Sequence, residues 1–182
     1  MITIMSDFPI HLLDGLAHDT LETDAGQRLF SRDDPVRWLY LVQSGEIHLI
    51  RQLEAGRDLV MCRYNPGSLV AEGSMFSERY HCDAVSEGES RVSRFDSSEV
   101  QARIKSDPEA AWAWSIYLTQ GLQAARTRAE ILSLKTVRER LEAWFIIHPA
   151  SNESPSSWKS VANEIGVSPE ALYRELARRR KS

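Results

Sequence analysis

Five cations, Arg174, Arg178, Arg179, Arg180 and Lys181, follow closely on Ser168-Pro169-Glu170. A guanidinium donates hydrogen bonds in a planar fork that suits phosphates and other oxyanions, so this cluster could hold a polyanion. Ser168 is a favoured helix N-cap, Pro169 fits the first helical position, and Glu170 lies where the helix dipole favours negative charge. On a helix begun there, Leu172 and Leu176 face inward, and Tyr173, Arg174 and Arg178 face outward. A second candidate is His81-Cys82, a pair that invites a metal, haem or redox reading. Adjacent strand residues point to opposite faces, which makes them poor joint ligands. A buried structural cysteine is the simpler state of Cys82. Cys62 and Cys82 are the only cysteines, too few for a disulfide framework or a four-cysteine metal site. His11, His18, His48 and His148 form no His-x-His or His-Glu-x-x-His spacing, so no metal ligand set is expected. There is no Gly-x-Ser-x-Gly, no phosphate-binding glycine loop and no framed pair of carboxylates. The sequence thus points away from an enzyme, including a cupin-type metalloenzyme, and no cofactor is expected.

Charge separates the chain into two parts. Residues 1–133 carry 13 Lys and Arg against 20 Asp and Glu, net −7, whereas residues 134–182 carry nine against six, net +3. An acidic body with a basic end suggests an anionic partner for the end alone, nucleic acid foremost; a merely solvated C-terminus is the plain alternative. The chain has 182 residues and 20.7 kDa, 42% hydrophobic and 26% charged, an ordinary globular mix for one or two domains. No apolar run is long enough to span a bilayer, and Met1 to Ile10 lacks the pattern of a secretory signal. A reducing cytoplasm is the expected location.

The elements that must position these residues read in two styles. Asp33-Asp34-Pro35 turns into the apolar run Trp38-Leu39-Tyr40-Leu41-Val42, which ends at Ser44-Gly45. Ile47, Leu49 and Arg51 share one face by alternation, with His48 and Ile50 on the other. Turns at Ala55-Gly56 and Pro66-Gly67 flank a strand at Leu59 to Cys62, and later strands are expected at Cys82 to Val85 and Arg91 to Phe95. Short strands with regular turns predict an antiparallel barrel or sandwich. Helix signals begin at Ser97-Ser98-Glu99 and again at Asp107-Pro108-Glu109, with Asp107 as N-cap. The second helix runs to Leu134 and carries two apolar stripes. Trp114, Leu118, Gly121, Leu122, Ala125, Ala129 and Leu132 form one; Ala110, Ala113, Tyr117, Ala124 and Ile131 form the other. One stripe can cover the β domain, and the other fits the same helix of a second copy; a single helix buried in a monomer is the alternative. Val137, Leu141, Trp144 and Phe145 mark a further helix ended by His148-Pro149, and residues 150–157 read as a loop. A short helix from Ser157 then carries Val161, Ala162 and Ile165 inward and breaks at Gly166, before Val167 and the helix opened by Ser168. Small Ala162 at the crossing, followed by Gly166 and Leu172, fits two helices crossing through a tight turn. This predicts a helix-turn-helix, with an ordinary helical hairpin as the alternative.

The order β-roll, long helix, helix-turn-helix resembles the Crp/Fnr family of bacterial transcription regulators over nearly the whole chain. The resemblance rests on Trp38 to Ile47, on Asn65-Pro66-Gly67-Ser68-Leu69-Val70-Ala71-Glu72-Gly73-Ser74-Met75-Phe76, on Tyr80 to Val85 and on Val161 to Leu176. It implies an α+β fold. A jelly-roll-like, cyclic nucleotide-binding-like sensor domain would occupy 1–107, a dimerisation helix 108–134 and a helix-turn-helix 135–182. It implies a homodimer through Trp114, Tyr117, Leu118, Gly121, Leu122, Ala125, Ala129 and Leu132. Its partners would be double-stranded DNA, RNA polymerase and a small-molecule effector, with no membrane. DNA contacts fall to Ser168, Pro169, Glu170, Tyr173, Arg174, Arg178 and Arg179. Glu170 and Arg174 match the family's base-reading pair, Arg174 for guanine and Glu170 for a cytosine amine. An arginine common in the family just before that glutamate is Pro169 here, which removes one contact.

The implied effector pocket comprises Ala71, Glu72, Gly73, Tyr80, His81 and Cys82. Members that bind cyclic AMP carry Gly-Glu at the turn and then Arg-Ser or Arg-Thr, the glutamate holding ribose and the arginine the phosphate. Ala71-Glu72 and Tyr80-His81 stand in those places, so the phosphate arginine is absent; Arg79 is one residue off, on the other face by alternation. Cyclic AMP is therefore not the expected effector, and two cysteines cannot supply the ligands of the iron–sulfur members. Glu175 stands where the family often buries an aliphatic residue. The resemblance implies a helix-turn-helix lacking most or all of the family's β-hairpin wing after Arg178-Arg179-Arg180-Lys181-Ser182, whose phosphate contacts the basic tail would replace. A dimeric sensor or protein-interaction module with a degenerate DNA-binding end is the alternative function.

Overall fold

The computed structural model describes residues 8–52, 58–148 and 157–180. The Ala55-Gly56 turn, Pro149, the loop expected from residue 150 up to 156, and Lys181 lie outside them. Eight strands are described: β1 His18–Thr23, β2 Arg28–Phe30, β3 Trp38–Ser44, β4 Ile47–Gln52, β5 Asp58–Tyr64, β6 Leu69–Val70, β7 Asp83–Ser86 and β8 Ser90–Asp96. They form two four-stranded sheets, ordered β1-β8-β3-β6 and β2-β7-β4-β5, with every pairing antiparallel. Pairings such as Leu39 with Phe95 and Leu49 with Ala84 turn Leu39, Val42, Ile47, Leu49, Leu69, Ala84 and Val92 into a shared core. This is the antiparallel roll expected from the turn spacing. β1, β2 and β6 were not foreseen, because β1 is polar and mostly exposed, and the other two are three and two residues long. Ile47 and Leu49 face the core as alternation requires. On the opposite face His48 is also buried, with its ring nitrogens against Glu46 and Glu87.

Five helices follow: α1 Ser97–Ser106, α2 Pro108–Ser133, α3 Val137–Ile147, α4 Trp158–Glu164 and α5 Pro169–Arg179. Their starts are set by side-chain caps. Asp96 accepts from Ser98 N–H, Asp107 from Glu109 N–H at 2.9 Å, and Thr136 and Glu139 form a reciprocal capping box. The chain divides into two compact units within α2, Thr3–Gly121 and Leu122–Ser182. In the first, Ala110, Trp114 and Tyr117 join the core of the roll. In the second, Ile131, Leu141, Trp144, Val161, Ala162, Ile165 and Leu172 make a separate core. Among the described residues no helix is long and apolar enough to cross a membrane.

Candidate functional site

In the helical unit, Ser157 caps α4 by accepting from Ser160 N–H. The chain then turns at Gly166, whose φ of +68° is left-handed and thus suited to glycine. Val167 N–H donates to Ala162 O at 2.9 Å, closing the turn over the small residue expected at the crossing. Ser168 caps α5 by accepting from Ala171 N–H at 3.2 Å, with Pro169 in the first turn. Leu172 points into the core, which leaves Glu170, Tyr173, Arg174 and Arg178 exposed. The Glu170 carboxyl is held below the usual range by its own backbone N–H and the Ser168 hydroxyl, and the Arg174 charge adds to this. Arg174 makes no hydrogen bond or ion pair among the described residues, so its guanidinium is available.

The other two expected contacts differ from Arg174. Arg178 donates to Glu175 at 3.2 Å; Glu175 is only 6% exposed, a buried carboxylate with an exposed partner. Arg179 leaves the face of Glu170, Arg174 and Arg178, because each residue advances about 100° around a helix. It donates to Glu142 at 3.2 Å, and its guanidinium lies 5.0 Å from the centre of the Phe145 ring. Arg179 thus ties α5 to α3. Arg138, which no local sequence signal marks, lines a cleft of about 350 Å³ with Thr136, Val137, Arg174, Glu175 and Arg178. It bonds to Glu142 at 3.0 Å and its side chain stays 70% exposed. No sequence spacing links Arg138 to α5, since only the packing of α3 brings them together.

In the roll, Ala71 is buried with φ 75° and starts a single turn of 3-10 helix, Glu72–Ser74. The Tyr64 hydroxyl lies 2.8 and 3.0 Å from the two Glu72 carboxylate oxygens. The residue keeps some surface but its carboxylate is enclosed, and burial pushes its pKa up to about 7, against the lowering effect of Tyr64. His81 and Ser74 share a 2.7 Å hydrogen bond, and the His81 ring carbon Cε1 would lie 3.6 Å from a Cβ added at Gly73. Burial lowers the His81 pKa and raises that of Cys82 to about 11, so the buried thiol stays protonated. Arg51 acts electrostatically on both. Its place on the Ile47–Leu49 face explains why, although the sequence reading did not assign it to the pocket.

Tyr80 is held differently from His81. Its hydroxyl donates to Trp38 O at 2.7 Å and accepts from Trp38 N–H at 3.1 Å, and its ring stacks on Phe30 at 3.7 Å. The Tyr80 hydroxyl and ring are thus both engaged by the sheet, whereas His81 bonds to Ser74. Arg79 donates to Asp33 O at 2.6 Å. Among the described residues no group of three His, Cys, Asp or Glu is placed to hold a metal. On α2 the expected partner-facing set also divides. Trp114 and Tyr117 are buried within the roll and are removed from it, because the neighbouring core needs both rings: Phe8 packs edge-on against them at 6.1 and 5.1 Å. Leu118, Leu122, Ala125, Ala129 and Leu132 remain exposed, and Gly121 half-buried.

A sensor-type roll followed by a capped helix-turn-helix is the class that these two sites define. Residues 20–107 match the cyclic nucleotide-binding domain family. The chain is 31% identical over 160 residues to the nitrogen fixation regulation protein FixK of Azorhizobium caulinodans, covering 81% of this chain and 63% of FixK. It therefore spans less than two thirds of that relative's length. FixK2 of Bradyrhizobium japonicum superposes with a TM-score of 0.69 at 17% identity, over 90% of this chain and 84% of that one. The c-di-GMP responsive regulator CLP of Xanthomonas campestris gives 0.61 at 19%, over 90% and 87%. At those identities the structures show a shared fold. Residues 20–107 thus carry the cyclic nucleotide-binding domain pattern, and over 160 residues the chain is similar to the regulator FixK.

Proposed function

We propose that this protein is a homodimeric, DNA-binding transcription regulator in the cytoplasm, with α5 as its major-groove reading helix. The observation that carries this is the exposed stripe Glu170, Arg174, Arg178 on a helix capped by Ser168 and backed by Leu172. Four residues is about one helical turn, so Glu170 and Arg174 project together. Arg174 can donate to guanine O6 and N7 while Glu170 accepts from cytosine N4. Tyr173 and Arg138 are positioned for flanking phosphates or a thymine methyl. Two copies join through Leu118, Leu122, Ala125, Ala129 and Leu132, which places two reading helices on a two-fold symmetric site.

The effector is not cyclic AMP. Tyr64 occupies the Glu72 carboxylate, and Tyr80, its hydroxyl bonded to the Trp38 backbone, stands where the phosphate-binding arginine would be needed. Calorimetry with cyclic AMP or cyclic GMP should give no binding below roughly millimolar, since a phosphate without its ionic partner forfeits about 1.5–3 kcal/mol. Micromolar affinity would overturn this part of the reading.

A dimeric sensor with a non-reading helical end is the second reading. The pairing of Arg178 with Glu175 and of Arg179 with Glu142 favours it, because both pairs consume charge. Duplex binding at several salt concentrations separates the two. A reading helix gives a steep loss of affinity with salt together with preference for a symmetric site. Weak binding without sequence preference supports the sensor.

A further inference from the structure

Arg140 on α3 reaches two separate segments of the helical unit. Its Nε donates to Leu134 O at 2.8 Å and one terminal nitrogen to Leu132 O at 3.0 Å. The other terminal nitrogen donates to both Ile165 O and Gly166 O at 3.1 Å. The first two carbonyls sit at the C-terminal end of α2, where a helix has no N–H left to offer and its dipole favours a cation. The last two belong to the turn directly before the Ser168 cap of α5. One planar group therefore grips the end of α2 with one edge and the helix-turn-helix with the other. All four acceptors are backbone oxygens, so the contact fixes chain position rather than pairing charge. Gly166 completes the fit: a Cβ there would overlap the Leu132 side chain and come within 3.3 Å of the Arg140 guanidinium.

We propose that Arg140 is a positioning residue that locks α5 to the end of α2, so that the spacing between two DNA half-sites is set by the α2 seam. The DNA part of this rests on the proposed function; the lock itself does not. A lysine cannot replace it, because three donors on one ammonium cannot reach four carbonyls spread over two segments.

The test uses the full chain and the variants Arg140→Lys and Gly166→Ala. Affinity is measured for duplexes with one half-site and with two half-sites whose separation is stepped by single base pairs. The wild type should favour one separation by about tenfold or more, as a rigid dimer does. Both variants should keep single-half-site affinity within about threefold yet lose most of that preference, as expected where binding contacts are intact and only their relative placement is loosened. A structural residue with no positioning role would lower both affinities together or neither. Sharp spacing preference retained in both variants overturns the proposal.

A second measurement needs no DNA. Spin labels at Glu130→Cys and Ala177→Cys, with Cys62→Ser and Cys82→Ala, report the α2–α5 distance within one protomer diluted into unlabelled protein. The distribution should be narrow with Arg140 and broad with Arg140→Lys. Equal widths refute the lock even if the protein proves not to bind DNA, and broadening without any wild-type DNA binding upholds the lock while refuting the functional reading.

Discussion

The roll and the helical unit treat their polar side chains in opposite ways. In the roll, the groups that look like a binding site satisfy one another: Tyr64 holds Glu72, Ser74 holds His81, and Tyr80 is spent on the Trp38 backbone. In the helical unit, the buried polar work is done by Arg140 and Glu175, and the outer face of α5 keeps Arg174 free. Residue types that suggest chemistry are therefore weak guides inside a core, where any polar group must find a partner. They are stronger guides on a capped surface helix, where only geometry limits what they touch.

The seam outside both cores should show the largest effect. Leu122→Asp puts a carboxylate where the dimer would bury it, at a cost of several kcal/mol. Sedimentation should report a mass near twice 20.7 kDa for the wild type and near 20.7 kDa for the variant. A wild-type monomer at micromolar concentration would end the dimer reading.

The closed pocket of the roll comes next, through pH. Glu72 has its folded pKa raised from 4.5 to about 7. The folded state thus binds the proton more tightly than the unfolded one. Stability from this group is full below about pH 4.5 and falls as pH rises to about 7, by roughly 3 kcal/mol at most. Glu72→Gln keeps an acceptor for Tyr64 and should flatten this part of the profile, making the variant more stable than wild type at pH 8. Denaturant melts at pH 5 and pH 8 measure it, and an unchanged slope would mean that the carboxylate is solvated.

Arg174→Ala sharpens the contrast from the surface side. It should cost about 1–3 kcal/mol of DNA affinity and relax preference at one base pair per half-site. Competition binding against a panel of single-base changes detects this; a loss equal on all sequences would remove the reading role. The smallest effect belongs to Arg179→Ala. With its partners Glu142 and Phe145 on α3, it should lower stability by less than about 1 kcal/mol and leave the salt slope of DNA binding unchanged. A slope reduced by about one would return Arg179 to the phosphate contacts.

Local signals along the chain were enough for several features. The caps Asp107, Ser157 and Ser168, the break at Gly166, the inward Leu172 and the strands at Trp38, Ile47 and Arg91 all follow from short-range sterics and hydrogen bonding. So does the antiparallel roll, because evenly spaced turns permit little else. Packing decided the rest. Periodicity put Trp114 and Tyr117 on plausible seams of α2, but it cannot say which neighbour covers a stripe; the roll claimed both rings. Spacing also could not show that Arg179 meets Glu142 and Phe145, or bring Arg138 and Arg140 from α3 to the helix-turn-helix. Nor could it turn Tyr64 onto Glu72 and Tyr80 away from His81. Each of these depends on contacts between residues distant in sequence. A side chain's type limits which bonds it can make, and only the folded chain sets which partner is within reach.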